Sequence, residues 1–221
     1  MTNNTKISYD HLFYPQLKRR QTYLTHKNSS NFQYNSYKEQ IEQDCKHRCV
    51  YCDITYCEIG FEGMVLDHFR PQRHFPALCN NPYNLVLSCP KCNRLKSDLW
   101  PAGVDCPETF KDNCGFVDPF IESMQSYFSI KTDGMIEPLR PPATYLEKVL
   151  HLNRYARKQV RYLRIITSRI EQFRSQLERE FIEKSNQHNE QKITDADFIY
   201  YIKEYRQKLE LMRNLNSKNK Q

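Results

Sequence analysis

Four cysteines, an aspartate–histidine pair and one asparagine stand at spacings that could do chemistry. Cys49-Val50-Tyr51-Cys52 and Cys89-Pro90-Lys91-Cys92 are two Cys-x-x-Cys pairs with 36 residues between them. A tight turn lets both sulfurs of such a pair face one ion, and four thiolates in tetrahedral array make a typical structural Zn2+ site. A redox role fits poorly, because no thioredoxin-like βαβ pattern surrounds either pair. Between the pairs lies Met64-Val65-Leu66-Asp67-His68-Phe69-Arg70-Pro71, and Asn93 directly follows Cys92. An imidazole titrates near neutral pH as a chemical class, which makes histidine, here His68, the natural general base. The Asp67 carboxylate and the Asn93 amide carbonyl offer oxygen to a hard cation such as Mg2+ or Mn2+. One base and one cation with open positions suffice to drive water in line onto a phosphodiester.

The elements that must position these groups are short. Val65-Leu66 reads as a strand. Adjacent strand residues point to opposite faces, so Asp67 and His68 must sit where the strand gives way to a loop if both are to serve one phosphate. Pro71, Pro76 and Pro82 mark that loop as long and irregular. Asn84 to Leu87 is a second apolar run. Ser88-Cys89-Pro90 starts a helix, with Pro at its first position, that runs to about Leu99 and stops before Pro101. Such pieces are too small to hold geometry alone, and the zinc would pin them.

Outside this region, Tyr37 to Cys45 predicts a short helix, and the stretch with Lys18-Arg19-Arg20 an arm that wraps the core. Ser126–Ile130 and Met135–Leu139 flank Thr132-Asp133-Gly134 as a hairpin. Leu163, Ile166, Ile170, Phe173 and Leu177 form one helical stripe, and Phe198, Ile202, Tyr205, Leu209 and Met212 another. Thr194 and Asp197 fit a capping box, and Lys184 to Lys192 reads as a polar loop between the two helices. The expected organisation is an arm over 1–44, a core over 45–103, a hairpin extension over 104–143 and a basic helical hairpin over 144–221.

Composition narrows the function. The formal charge is +7 and the pI about 8.9, which suits an anionic polymer such as DNA or RNA. Residues 144–180 hold nine Lys or Arg against four Glu, read either as a phosphate-tracking surface or as a solvated helix face. No nucleotide-binding Gly motif occurs. No apolar run is long enough to span a membrane, which points to the cytoplasm. Nine cysteines, an odd number, argue against a disulfide framework. Cys45, Cys57, Cys79, Cys106 and Cys114 read as ordinary thiols, and His74 as loop surface.

Together CVYC, LDHFRP, NLVLSCPKCN and the trailing RLK resemble the HNH nucleases over residues 49–96. The resemblance implies an α+β protein: a small ββα-metal, treble-clef-like core stapled by zinc on Cys49, Cys52, Cys89 and Cys92, with a β-hairpin and a helical hairpin appended. It implies a phosphodiester hydrolase leaving 5′-phosphate and 3′-hydroxyl ends, His68 as base, and a divalent cation on Asp67 and Asn93. Asn84, the middle motif residue, would brace the loop that positions the base. Asn93 stands where many members have His. Arg70 and Lys96 are candidate phosphate contacts, Lys96 because it shares a helix face with Asn93. The chain also resembles HNH proteins of Septu and retron-associated defence loci, which implies a separate ATPase partner. The competing reading is a noncatalytic zinc module that binds nucleic acid or protein, which would not need Asp67, His68 and Asn93 together.

Overall fold

In the computed structural model, residues 9–24, 34–60 and 63–218 are described. They form two compact units, Met1–Tyr162 and Leu163–Gln221. The helices are α1 (Lys38–Asp44), α2 (Tyr56–Ile59), α3 (Pro90–Lys96), α4 (Ala143–Val149), α5 (Tyr155–Asn189) and α6 (Asp195–Lys218). The strands are β1 (Val65–His68), β2 (Leu85–Ser88), β3 (Phe110–Lys111), β4 (Cys114–Gly115), β5 (Phe128–Ile130) and β6 (Ile136–Pro138). All pair as two-stranded antiparallel sheets, β1 with β2, β3 with β4 and β5 with β6. The fold is α+β, as expected.

The ββα core follows from its residues. β1 pairs with β2 in the register Val65–Ser88, Leu66–Leu87, Asp67–Val86 and His68–Leu85. Leu85, Val86 and Leu87 are fully buried, so β2 is the inner strand and carries no polar alternation. The first cysteine turn joins it by Val50 N–H donating to the Leu87 carbonyl at 3.0 Å. Cys89 caps α3, with Pro90 at its first position and its sulfur accepting from Cys92 N–H. The helix ends at Lys96, shorter than the expected end near Leu99, because Ser97 turns to φ +47°.

The N-terminal arm is built into the core. Phe13, Tyr14 and Leu17 are buried, and Tyr14 O–H donates to the Tyr51 carbonyl at 3.1 Å. Arg19 lies over the Phe120 ring at 3.9 Å and Arg20 pairs with Asp44 at 3.0 Å, so these two arm cations are spent internally. The part of the arm over residues 1–8 and 25–33 lies outside the described residues. At the hairpin turn, Gly134 has φ +82° and a Cβ there would meet the Lys158 carbonyl at 2.2 Å. Only glycine permits that approach.

In the second unit, α6 presents its expected stripe, with Phe198, Ile202, Tyr205, Leu209 and Met212 all at least half-buried. The α5 stripe holds in part: Leu177 is buried and Ile166 and Ile170 are half-buried, whereas Leu163 and Phe173 are exposed; ring contacts to α6 come from Phe181, against Tyr201 and Tyr205, and from His188, stacked on Phe198. The expected polar loop from Lys184 is helix as far as Asn189. Its Lys, Ser, Gln and Asn residues contain no Gly or Pro, and modest propensity does not stop a helix already propagating. Thr194 and Asp197 form the expected cap, Asp197 N–H donating to Thr194 Oγ1 at 3.2 Å. No described helix is long and apolar enough to cross a membrane.

Candidate active site

The four cysteine sulfurs of Cys49, Cys52, Cys89 and Cys92 converge, all within 4.8 Å of one another and all buried. Cys52 and Cys89 sulfurs are 3.7 Å apart, the edge expected of a tetrahedron with Zn–S bonds of about 2.3 Å. The donor set and its spacing fit zinc. It is the one such cluster among the described residues, which gives Cys106 and Cys114 no metal partner there.

Two arginines from the start of α5 and the turn before it lie on these sulfurs. Arg154 Nη2 is 3.5 Å from Cys92, 3.7 Å from Cys52 and 3.7 Å from Cys89. Arg157 Nη2 is 3.6 Å from Cys89. Four thiolates around Zn2+ carry a net charge of about −2, and two guanidinium groups balance it. Burial works against the charge on both side chains, yet the neighbouring sulfurs outweigh it and hold both above the ordinary arginine range. Because groups around the ligands tune metal affinity by about 10–100-fold, Arg154→Gln is expected to release zinc to a colorimetric chelator at about tenfold lower chelator concentration. Unchanged release would remove this role from Arg154.

Asp67 and His68 are the last two residues of β1, and both line one open cleft of about 250 Å³ with Pro71, Gln72, Arg73, Ser97 and Asp98. They occupy it differently. Asp67 is buried; its carboxylate accepts from Tyr51 O–H at 2.5 Å and pairs with Lys96 Nζ at 3.2 Å. Burial pushes the Asp67 carboxyl above the usual range, against the pull of Lys96 and Tyr51. Burial likewise draws the Lys96 ammonium below its ordinary value, against Asp67. His68 is half-exposed, its ring edge-on to Tyr34. Its Nε2 lies 2.8 Å from the Cys79 carbonyl. A carbonyl only accepts, so that partner assigns the proton to Nε2 and leaves Nδ1 as the acceptor a base requires. The Gln72 side-chain amide lies 3.0 Å from the same Nε2, where an Nε2–H is met by the amide oxygen and not by its NH2 group.

Asn84 holds the loop after β1 from both sides. Its Oδ1 accepts from Arg70 N–H at 2.9 Å and its Nδ2 donates to the Arg70 carbonyl at 3.0 Å. Asn93 is half-buried on α3 but is not among the residues lining the cleft; Ser97 and Asp98, just past the helix end, are. Two expected phosphate contacts are corrected. Lys96 has no exposed surface: besides Asp67 it donates to the His68 carbonyl at 2.8 Å, because α3 turns this face onto β1. Arg70 directs its guanidinium to the Pro107 carbonyl at 2.9 Å and over Trp100 at 5.0 Å. The arginine in the cleft is Arg73, held by Asp98 at 2.7 Å, and exposed His74 lies 2.9 Å from the Asp98 carbonyl.

The expected phosphate-tracking surface over 144–180 is also corrected in part. Arg154 and Arg157 serve the sulfurs. Arg161 is buried and donates to the Gly134 and Leu152 carbonyls, Lys158 pairs with Asp133, and Arg174 pairs with Glu171 and Glu178. Sequence reading missed Tyr51, Arg154 and Arg157. Tyr51 carried a signal, since a tyrosine inside a cysteine turn is buried and its hydroxyl then needs a partner. The arginines carried none, being 62 or more residues from the sulfurs they meet.

Comparison with known proteins agrees with this geometry. Residues 49–99 match the family model of the HNH endonucleases. A Vibrio cholerae protein named "Retron Vc95 putative HNH endonuclease" is 33% identical over 93 residues, covering 41% of this chain and 40% of that protein. The chain thus spans two fifths of the curated relative's length. No solved structure matches. These matches support a nuclease.

Proposed function

We propose that the chain is a metal-dependent endonuclease that hydrolyses phosphodiester bonds of DNA or RNA, with His68 as general base. The observation that carries this reading is the placement of Asp67 and His68, as consecutive strand-end residues, in one cleft with the His68 ring oriented by the Cys79 carbonyl. With Nε2 protonated, Nδ1 can take the proton of an attacking water. Arg73, which lines the cleft and is held there by Asp98, has further guanidinium N–H groups to offer the scissile phosphate.

Oxygen donors suit Mg2+ or Mn2+, and the cleft supplies the Asp67 carboxylate, with the Asn93 amide as the second candidate from α3. When bound, such a cation would neutralise the phosphate and lower the pKa of water. Asp67 is the group it would share with Lys96. Asn84 serves by fixing the loop that carries Arg70 and, beyond it, Gln72 and Arg73.

The name of the Vibrio relative adds a setting. The chain is read as a cytoplasmic effector of a retron-like antiviral defence system, acting with a separate ATPase partner because it has no nucleotide-binding motif of its own.

The test is cleavage of plasmid DNA and of RNA with Mg2+ or Mn2+, with and without the product of a neighbouring ATPase gene. His68→Ala is expected to lower the rate by about 10²–10⁴-fold with zinc content unchanged. Equal cleavage by both proteins would sink the mechanism. Wild type inert under every condition, yet still binding nucleic acid or partner, would favour the noncatalytic zinc module.

A further inference from the structure

A second basic feature lies beside the zinc ligands and shares no lining residue with the cleft. A pocket of about 270 Å³ is lined by Pro90, Lys91, Arg94, Arg154, Ala156 and Arg157. Four of its six residues are cations and none is acidic. Arg154 and Arg157 have Nη2 groups on the thiolates, and their two charges offset those of a four-thiolate zinc centre. The charge of Lys91 and Arg94 is therefore left over. Neither has a carboxylate within ion-pair reach among the described residues.

The decisive observation is the imbalance of charge at this pocket. Arg157 is only 8% exposed and directs Nη2 to the Cys89 thiolate, so its charge is already met. Lys91 and Arg94 line the same pocket, and no carboxylate lines it. The partner that this surplus calls for is an acceptor carrying negative charge.

We propose that this pocket binds a phosphodiester group of the nucleic acid outside the cleavage cleft, through Lys91 and Arg94. The proposal rests on the nuclease reading for its choice of anion. A phosphate's tetrahedral oxygens can accept from several directions at once, which suits an ammonium and a guanidinium one helical turn apart on α3. Lys91 and Arg94 project from α3, the helix whose Lys96 bonds Asp67 and the His68 carbonyl. A phosphate gripped there would register the strand against the cleft through a single rigid helix. Phosphate contacts of this kind fix register and carry no sequence information.

The experiment measures binding, in the full-length His68→Ala background so that no strand is cut. Fluorescence anisotropy with a labelled duplex DNA and a labelled single-stranded RNA would compare that protein with Lys91→Gln and Arg94→Gln, singly and together. Each is expected to weaken binding by about tenfold, and to reduce the slope of log affinity against log salt by about 0.9 on duplex or 0.7 on single strand. Zinc content and far-UV dichroism should stay unchanged. Unchanged affinity and slope would overturn the proposal, whether or not wild type cleaves. Loss of cleavage in wild type, with binding still sensitive to Lys91 and Arg94, would sink the nuclease reading and leave the pocket standing. Inorganic phosphate, followed by 31P line broadening, separates the remaining source. Phosphate binding that the variants abolish while nucleic-acid affinity holds would make this a free-anion site and overturn the assignment.

Discussion

Replacing Cys89 with serine, or stripping the metal with a strong chelator, is expected to abolish the cooperative thermal transition of the first unit. Zinc bound by four thiolates contributes about 10–16 kcal/mol in small zinc-finger peptides near pH 7, comparable to or larger than the whole stability of an ordinary domain, about 5–15 kcal/mol. The geometry here adds to that dependence. Without the metal the cysteines revert toward neutral thiols, and buried Arg157 and half-buried Arg154 then face no negative charge beside the sulfurs. An uncompensated buried cation is a further penalty of several kcal/mol. Cys89 is the position of choice because its sulfur is shared by both arginines and also caps α3. Atomic emission should find about one zinc per wild-type chain and none in the variant, and calorimetry should show the wild-type transition returning when zinc is added back to stripped protein. A stripped first unit that melts cooperatively at the wild-type temperature would show that the thiolate cluster is not what holds this core.

This dependence was readable from sequence because cysteine chemistry is local: two residues between sulfurs set each turn, and only the distance between the pairs had to be bridged by the fold. The strand-end placement of Asp67-His68 and the start of α3 were readable for the same reason, as period, proline and cap signals act within a few residues. What the basic residues do was not. A lysine on α3 at helical spacing from Asn93 gives the same sequence pattern whether it meets solvent or a buried carboxylate 29 positions away. The charge count over residues 144–180 treated nine cations alike, whereas Arg154, Arg157 and Arg161 satisfy partners inside the first unit. Nor could periodicity choose which side of α5 meets α6, since apolar residues occur on more than one face and Phe181 and His188 settle the contact. Local chemistry is written in local spacing; the pairing of buried charges is a property of the closed fold.

Lys96→Met is expected to destabilise the first unit by about 3–5 kcal/mol, the usual cost of breaking a buried pair by removing one partner. Asp67 would keep Tyr51 as a donor but lose both the ammonium and the charge balance, at a largely buried position on the cleft wall. A midpoint drop of roughly 10 °C follows for a protein of this size. The companion variant Asp67→Asn/Lys96→Met removes both charges, and should recover much of that loss, because a neutral buried site no longer carries an unpaired ion. A double variant as unstable as Lys96→Met alone would show that Lys96 acts by packing against Phe116, 5.7 Å from its Nζ, rather than by charge. The same pair tests the cation reading of Asp67. If Asp67 takes Mg2+ or Mn2+, removing Lys96 vacates its carboxylate, and millimolar Mn2+ should raise the melting temperature of Lys96→Met more than that of wild type, through preferential binding to the folded state. The double variant, lacking the carboxylate, should show no such gain. Equal Mn2+ responses in Lys96→Met and the double variant would place the cation elsewhere in the cleft, with Asp98 the next carboxylate to examine.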